Sequence, residues 1–242
     1  MRYLAFLSLL LVVACNQDNI HTSNPPAEGF KLNASDERAI AIADSVVWAH
    51  GGRKAWDNTT YLKWNFFGNR KHVWNKKTGD LIIESFKDSF LIDMNLNTLR
   101  GTIQVKGGDL TDQDSLAKYL NVGKELWIND SYWLFLPFKL KDSGVTLKYL
   151  GPVYEDNKRI QQISLTFDNV GLTPKNRYVL NIDEDYRIVK WGFFDHFLST
   201  NPKFSNDWTD YKKYGDILLS SGRSNYELKD IAVGDSLARY FE

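Results

Sequence analysis

The chain has 242 residues, with 30 basic and 30 acidic side chains, 43% apolar residues and 14% aromatic residues. This balance gives no electrostatic case for nucleic acid as a partner, and the apolar share is enough for a sizeable core. Cys15 is the only cysteine, so no intrachain disulfide forms and packing must hold the fold.

Met1-Arg2 supplies one positive charge, and Tyr3 to Ala14 is apolar apart from Ser8. That run is well short of the ~20 residues a helix needs to span a bilayer. It reads as an export signal over residues 1–14, ending on a small residue before Cys15. Residues 15–34 are polar, with Pro25-Pro26 and Gly29, and are expected to form a flexible tether. Residues 35–242 hold no internal linker and are expected to form a single domain.

Ser35-Asp36-Glu37 opens a predicted helix, with Ala39, Ile40, Ala43, Val46 and Val47 at helical spacing and Gly51-Gly52 as its stop. The period then changes to two. Leu62, Trp64 and Phe66 alternate with Lys63 and Asn65, and further strands are predicted near 72–74, 81–86, 90–96 and 98–106. Thr111 is placed as the cap of a second helix, which is expected to break near Asn129-Asp130 and end before Pro137. Strands resume at 146–150, 160–167, 178–182, 186–194, 208–214, 217–220 and 226–233.

Motifs for catalysis are sparse. There is no G-x-S-x-G elbow, no H-E-x-x-H and no P-loop. His21, His50, His72 and His196 stand far apart and are expected at the surface or at sheet edges, not as metal ligands. Asp183-Glu184-Asp185 fits a turn better than a cation site. Gly51-Gly52-Arg53-Lys54 follows the negative end of a helix, the wrong end for an anion. No cofactor, no metal and no catalytic residue is expected.

The aromatic residues need burial. They form plain core in a filled barrel, or line a cavity in a half-barrel too wide to fill itself. The inward positions are Leu62, Trp64, Phe66, Ile163, Leu165 and Phe167. Stretch 132–138, YWLFLPF, is uncharged, and its Trp133, Phe135 and Phe138 fit either a lid over that cavity or a buried helix end.

Val12-Val13-Ala14-Cys15 resembles the lipobox of bacterial lipoproteins. The resemblance implies acylation of Cys15, cleavage before it and a membrane tether; an ordinary signal with an incidental cysteine is the alternative. Asn16 beside it implies the outer membrane. The order of lipobox, helix, strand meander, helical insertion and further strands resembles the lipoprotein carriers LolA and LolB. GGRKAWDNTTYLKWNFFG (51–68), WINDSYWLFLPFKLKDSGVTLKYLG (127–151) and FDNVGLTPKNRYVLNID (167–183) resemble envelope lipoproteins of Bacteroidetes type. The fold implied is mainly β with a few helices, an incomplete antiparallel β-barrel (half-barrel) closed by helices. The function implied is a non-enzymatic lipoprotein of the bacterial envelope that binds an apolar ligand, a lipid or an acylated protein. The alternative is a structural or interaction module of an envelope complex, with envelope proteins as partners and no ligand.

Overall fold

The structure, a computed structural model, describes residues 24–168 and 175–242. The expected export signal, Cys15 and the first part of the tether lie outside those residues.

Alternation builds the first sheet. In β1 (Tyr61–Phe66), Leu62, Trp64 and Phe66 are buried and the residues between them are half-exposed. β2 (Arg70–Asn75), β3 (Asp80–Ser85), β4 (Phe90–Asn95), β5 (Arg100–Val105) and the two-residue β6 (Gly108–Asp109) follow as antiparallel hairpins. Trp64 faces His72, His72 faces Ile83, Ile83 faces Ile92 and Ile92 faces Ile103. That row crosses the concave side of the sheet and carries one polar member, His72. β15 (Lys229–Val233) pairs with β1 at the other edge.

A second sheet runs in the order β11-β10-β9-β8-β7. It is made from β7 (Val145–Glu155), β8 (Lys158–Phe167), β9 (Arg177–Ile182), β10 (Ile188–Phe194) and β11 (Phe204–Asp207). β12 (Thr209–Tyr214), β13 (Ile217–Arg223) and β14 (Tyr226–Glu227) form a third sheet, with β13 against β11 and β12 against β15. The expected last strand, 226–233, is two strands in different sheets. They separate at buried Leu228, whose N–H donates to Ser221 O at 2.9 Å. Among the described residues no sheet closes on itself, so the architecture is an incomplete antiparallel barrel, mainly β with a few helices.

The helices are α1 (Glu37–Ala49), α2 (Gly52–Asn58) and α3 (Gln113–Lys139). α1 packs Ala39, Ile42, Ala43, Val46 and Val47 inward, close to the predicted spacing. Ser35 and Asp36 turn their side chains to β7: Ser35 Oγ accepts from Leu147 N at 3.0 Å and Asp36 Oδ2 from Tyr149 N at 2.9 Å. α3 is capped by Asp112, not Thr111, through Ser115 N at 2.9 Å.

α3 neither breaks at Asn129-Asp130 nor stops before Pro137; it is one helix of 27 residues. Proline has no N–H, so the carbonyl four residues earlier loses its helical donor. That carbonyl belongs to Trp133, and the Arg223 guanidinium donates to it from β13. A side chain 90 residues away in sequence therefore lets the helix continue through proline.

Residues 24–34 are docked on the body, which shortens the expected tether. Ala27 N donates to Lys141 O and Lys31 N to Val145 O, each at 3.0 Å, and Phe30 is buried. Asn24 Nδ2 donates to Asp44 Oδ1 at 2.7 Å, and the Lys141 ammonium pairs with the same carboxylate at 2.5 Å. Asp44 and Lys141 are both buried, so this segment is held by an ion pair between the end of α3 and α1.

Candidate functional site

α3 lies across the concave side and divides the core into two clusters. Leu62, Trp64 and Phe66 belong to the cluster on the first sheet, with Phe135 and Phe138 of α3. Ile163 and Leu165 belong to the cluster on the second sheet, and Phe167 packs at its margin. Trp133 touches both. The predicted inward positions and the aromatic residues of 132–138 thus meet along one seam between sheet and helix. The stretch is the last turns of α3, not a separate flap.

Aromatic rings fill the seam. The Phe135 ring meets the Trp64 ring edge-on at 5.2 Å, and Trp56 of α2 stacks on Phe138 at 4.5 Å. Trp74 meets Trp127 edge-on at 5.0 Å. Trp133 reaches Trp191 of β10 at 4.6 Å and Phe66 at 6.1 Å. The indole N–H groups of Trp64, Trp74, Trp127 and Trp191 are buried there with no acceptor among the described residues. Most buried donors are paired in folded proteins, so these orphans along one seam need an explanation.

Charge also enters the seam. Arg70, His72 and Trp74 alternate on the inner face of β2, and Asp130 descends from α3. Arg70 donates to Asp130 twice, Nε at 2.8 Å and Nη2 at 2.9 Å, in a bidentate pair. His72 Nε2 stands 2.7 Å from Asp130 Oδ2. An ionised carboxylate only accepts, so that nitrogen carries the proton and donates. Trp64 stacks on the imidazole at 4.5 Å and 9°. Burial alone would raise the Asp130 carboxyl, but the hydrogen bonds from His72 and Arg70 outweigh it and hold it below the ordinary range. Burial pushes His72 down despite its acidic partner. Asp130 and His72 have no exposed surface, so this trio anchors α3 to β2 instead of meeting solvent.

Two more buried cationic or imidazole groups flank the helix. Arg223 sits with its guanidinium 3.6 Å over the Trp208 ring, donating to Ser220 Oγ at 2.8 Å and Gly222 O at 2.6 Å as well as to Trp133 O. Burial pushes its pKa down to about 9, and it remains charged at neutral pH. His50, at the end of α1, donates from Nδ1 to Val46 O at 2.7 Å. Burial pushes it down to about 4.

These positions correct the expectation for the histidines. His50 and His72 are fully buried, because one caps a helix against the sheet and the other occupies an inward strand position. His196 is partly exposed, and His21 lies outside the described residues. Sequence reasoning missed Arg70, Asp130 and Arg223. The signal for Arg70 was present: it lies four residues before inward Trp74, and the three-residue connection Phe67-Gly68-Asn69 sets it opposite inward Phe66. Nothing local marked Asp130 or Arg223. No group of three or more His, Cys, Asp or Glu side chains among the described residues could hold a metal ion.

No family model matches the chain. No curated protein matches it either. Among solved structures it is similar to a DUF1329 family protein from Desulfovibrio piger, with TM-score 0.44 and 12% identity over 86% of this chain and 98% of that one. It is also similar to a LolA superfamily protein from Nitrosomonas europaea, with TM-score 0.40 and 9% identity over 83% of this chain and 97% of that one. A putative outer membrane lipoprotein-sorting protein domain from Vibrio parahaemolyticus gives TM-score 0.37 and 9% identity over 82% and 91%. At these scores the architecture rests on strand order and register, which show the incomplete barrel directly.

Proposed function

We propose that this chain is a bacterial envelope lipoprotein, tethered through Cys15 to the outer membrane, that binds an apolar ligand carrying acyl chains. The seam carries this reading. An aromatic concave face is covered by one helix instead of a second closed wall, and it holds buried indole donors that lack acceptors. A lipid or acylated protein would supply both acyl chains for the rings and ester carbonyls for the N–H groups. Leu62, Trp64 and Phe66 would line one side, Ile163, Leu165 and Phe167 the other, and Trp133, Phe135 and Phe138 would lift with α3 as the lid.

The test is native mass spectrometry of the full chain with Cys15→Ser, made in bacteria and purified without detergent. A folded protein carrying the extra mass of a lipid supports the reading, and Trp64→Phe should lower the bound fraction. A bare polypeptide whose melting temperature ignores added phospholipid and added acylated peptide overturns it. Acyl labelling and membrane fractionation check the tether: Cys15→Ser must lose both, and a variant that keeps them removes Cys15 as the anchor.

A second reading has its own observation. The rings of α3 already fill the seam, with Phe135 against Trp64 at 5.2 Å. A filled core suits a structural module of an envelope complex without ligand. The bare-polypeptide outcome, together with a partner recovered by crosslinking in cells, favours it.

A further inference from the structure

A cleft of about 670 Å³ opens beside β13. It lies between the β1–β2 turn, the start of β12 and the β13–β14 hairpin, and Phe67, Tyr226, Asp210, Lys212, Glu227 and Lys229 line it. Tyr226 is 62% exposed, far more than a packed tyrosine, and its ring stands 5.4 Å from that of Phe67. Two carboxylates and two ammonium groups are interspersed with Ser224 and Asn225, so the lining is polar and its charges balance.

The backbone departs from regular geometry at this cleft. Phe67 occupies the first central position of the β-turn that Asn69 N closes onto Phe66 O, with φ +52°, followed by Gly68 at +74°. Such turns favour asparagine or glycine there, and a bulky side chain in the left-handed region is strained. Its ring is held against Trp133 at 5.3 Å and presented to the cleft beside Tyr226. Asp210 has φ +57° inside β12, and Thr209 Oγ1 donates to its carboxylate at 3.0 Å. Beneath it Gly222 leaves no space: a Cβ there would lie 2.0 Å from Thr209 Oγ1 and 2.4 Å from Asp210 Oδ2. Strain that persists next to an exposed ring is a reason to look for a ligand.

We propose that this cleft binds a neutral glycan chain. A pyranose ring offers an apolar C–H face for Tyr226 and equatorial hydroxyls that both donate and accept. The cleft matches each: an exposed aromatic platform, carboxylates and the Asn225 carbonyl to accept, ammonium groups and hydroxyls to donate. Balanced charge favours neither a polyanion nor a polycation, and the polar lining disfavours an acyl chain. The site adjoins the α3 seam through Phe67, whose ring touches Trp133, but Tyr226 and the charged lining face away from the seam's ring cluster.

Calorimetric titration of the wild-type chain against hexasaccharides of β-1,4-glucose, β-1,4-N-acetylglucosamine, β-1,4-xylose, α-1,4-glucose and β-1,3-glucose tests it. At least one should bind, and Tyr226→Ala should weaken that one about tenfold or more, the loss of one stacked ring. Tyr226→Trp should retain it, and Tyr154→Ala, an exposed tyrosine on the β7–β8 hairpin, should leave it unchanged. If Tyr226→Ala melts early, Glu227→Gln on the same exposed strand takes its place. Failure of every neutral probe on wild type overturns the proposal, as does equal binding by the Tyr226→Ala and Glu227→Gln variants. So does tighter binding of polygalacturonate than of any neutral probe.

Discussion

The two halves of α3 are held differently. Residues 113–128 meet the first sheet through buried Leu120 and Gly123 and the half-buried Leu116, Tyr119, Leu126 and Trp127, and the rest are mostly exposed. Residues 129–139 bury Asp130, Ser131 and the whole run Leu134 to Phe138. The second half is also pinned by polar groups: Asp130 to Arg70 and His72, and Trp133 O to Arg223. Apolar contact is non-directional, whereas a buried charge tolerates one geometry, because moving it away from its partner exposes an unpaired ion to a poor solvent. The contrast leaves the first half held by apolar packing alone and the second half by apolar packing together with buried polar pairs.

Four substitutions, one of them repeated in a Pro137→Ala background, break or sharpen this contrast. Asp130→Ala leaves the Arg70 guanidinium and the buried His72 N–H without their acceptor and should cost about 3–5 kcal/mol, the largest effect. Urea unfolding measures it, and a loss under 1 kcal/mol would show that the trio does not anchor α3 to β2. The acid limb comes next. His50 has an ordinary value of 6.5 and a folded value of about 4, so between them the unfolded chain binds more protons. This contribution is complete above pH 6.5 and fades as pH falls towards 4, by on the order of 3 kcal/mol at most. His50→Asn should flatten the stability profile over that window, and an unchanged slope would show that His50 does not titrate there.

Arg223→Met leaves the Trp133 carbonyl without a donor and should cost roughly 2–3 kcal/mol. In a Pro137→Ala background the helix regains its own N–H, and the same change should cost about 1 kcal/mol less. Additive effects in that double-mutant cycle would sever the proline–arginine link. Gly123→Ala should have the smallest effect. Helix propensity gains about 1 kcal/mol, but the new methyl overpacks at a cost of about 1–3 kcal/mol. The crowding comes from Met94 Sδ at 2.8 Å and Ile92 Cδ1 at 3.2 Å. A net loss near 1 kcal/mol in thermal unfolding is expected, and a gain would show that the first half already stands clear of the sheet.

Much of this protein was legible from the chain alone. The meander from Tyr61 to Val105 follows from period-two alternation between turn residues, because a strand shows its two faces to two environments. The inward character of Leu62, Trp64 and Phe66, and of Ile163 and Leu165, follows from the same rule. Three features needed the folded structure. Pro137 reads locally as a helix end, and only Arg223, brought from the third sheet, supplies the donor that lets α3 continue. Asp130 reads as a break, and only Arg70 and His72 beneath it make a buried carboxylate tolerable. Residues 24–34 read as a free tether from their prolines and polar residues, and only the Asp44–Lys141 pair and the β7 edge dock them. In each case local propensity was outweighed by long-range hydrogen bonds or ion pairs. Periodicity records which side of an element is apolar; it holds no record of which distant polar group will meet it.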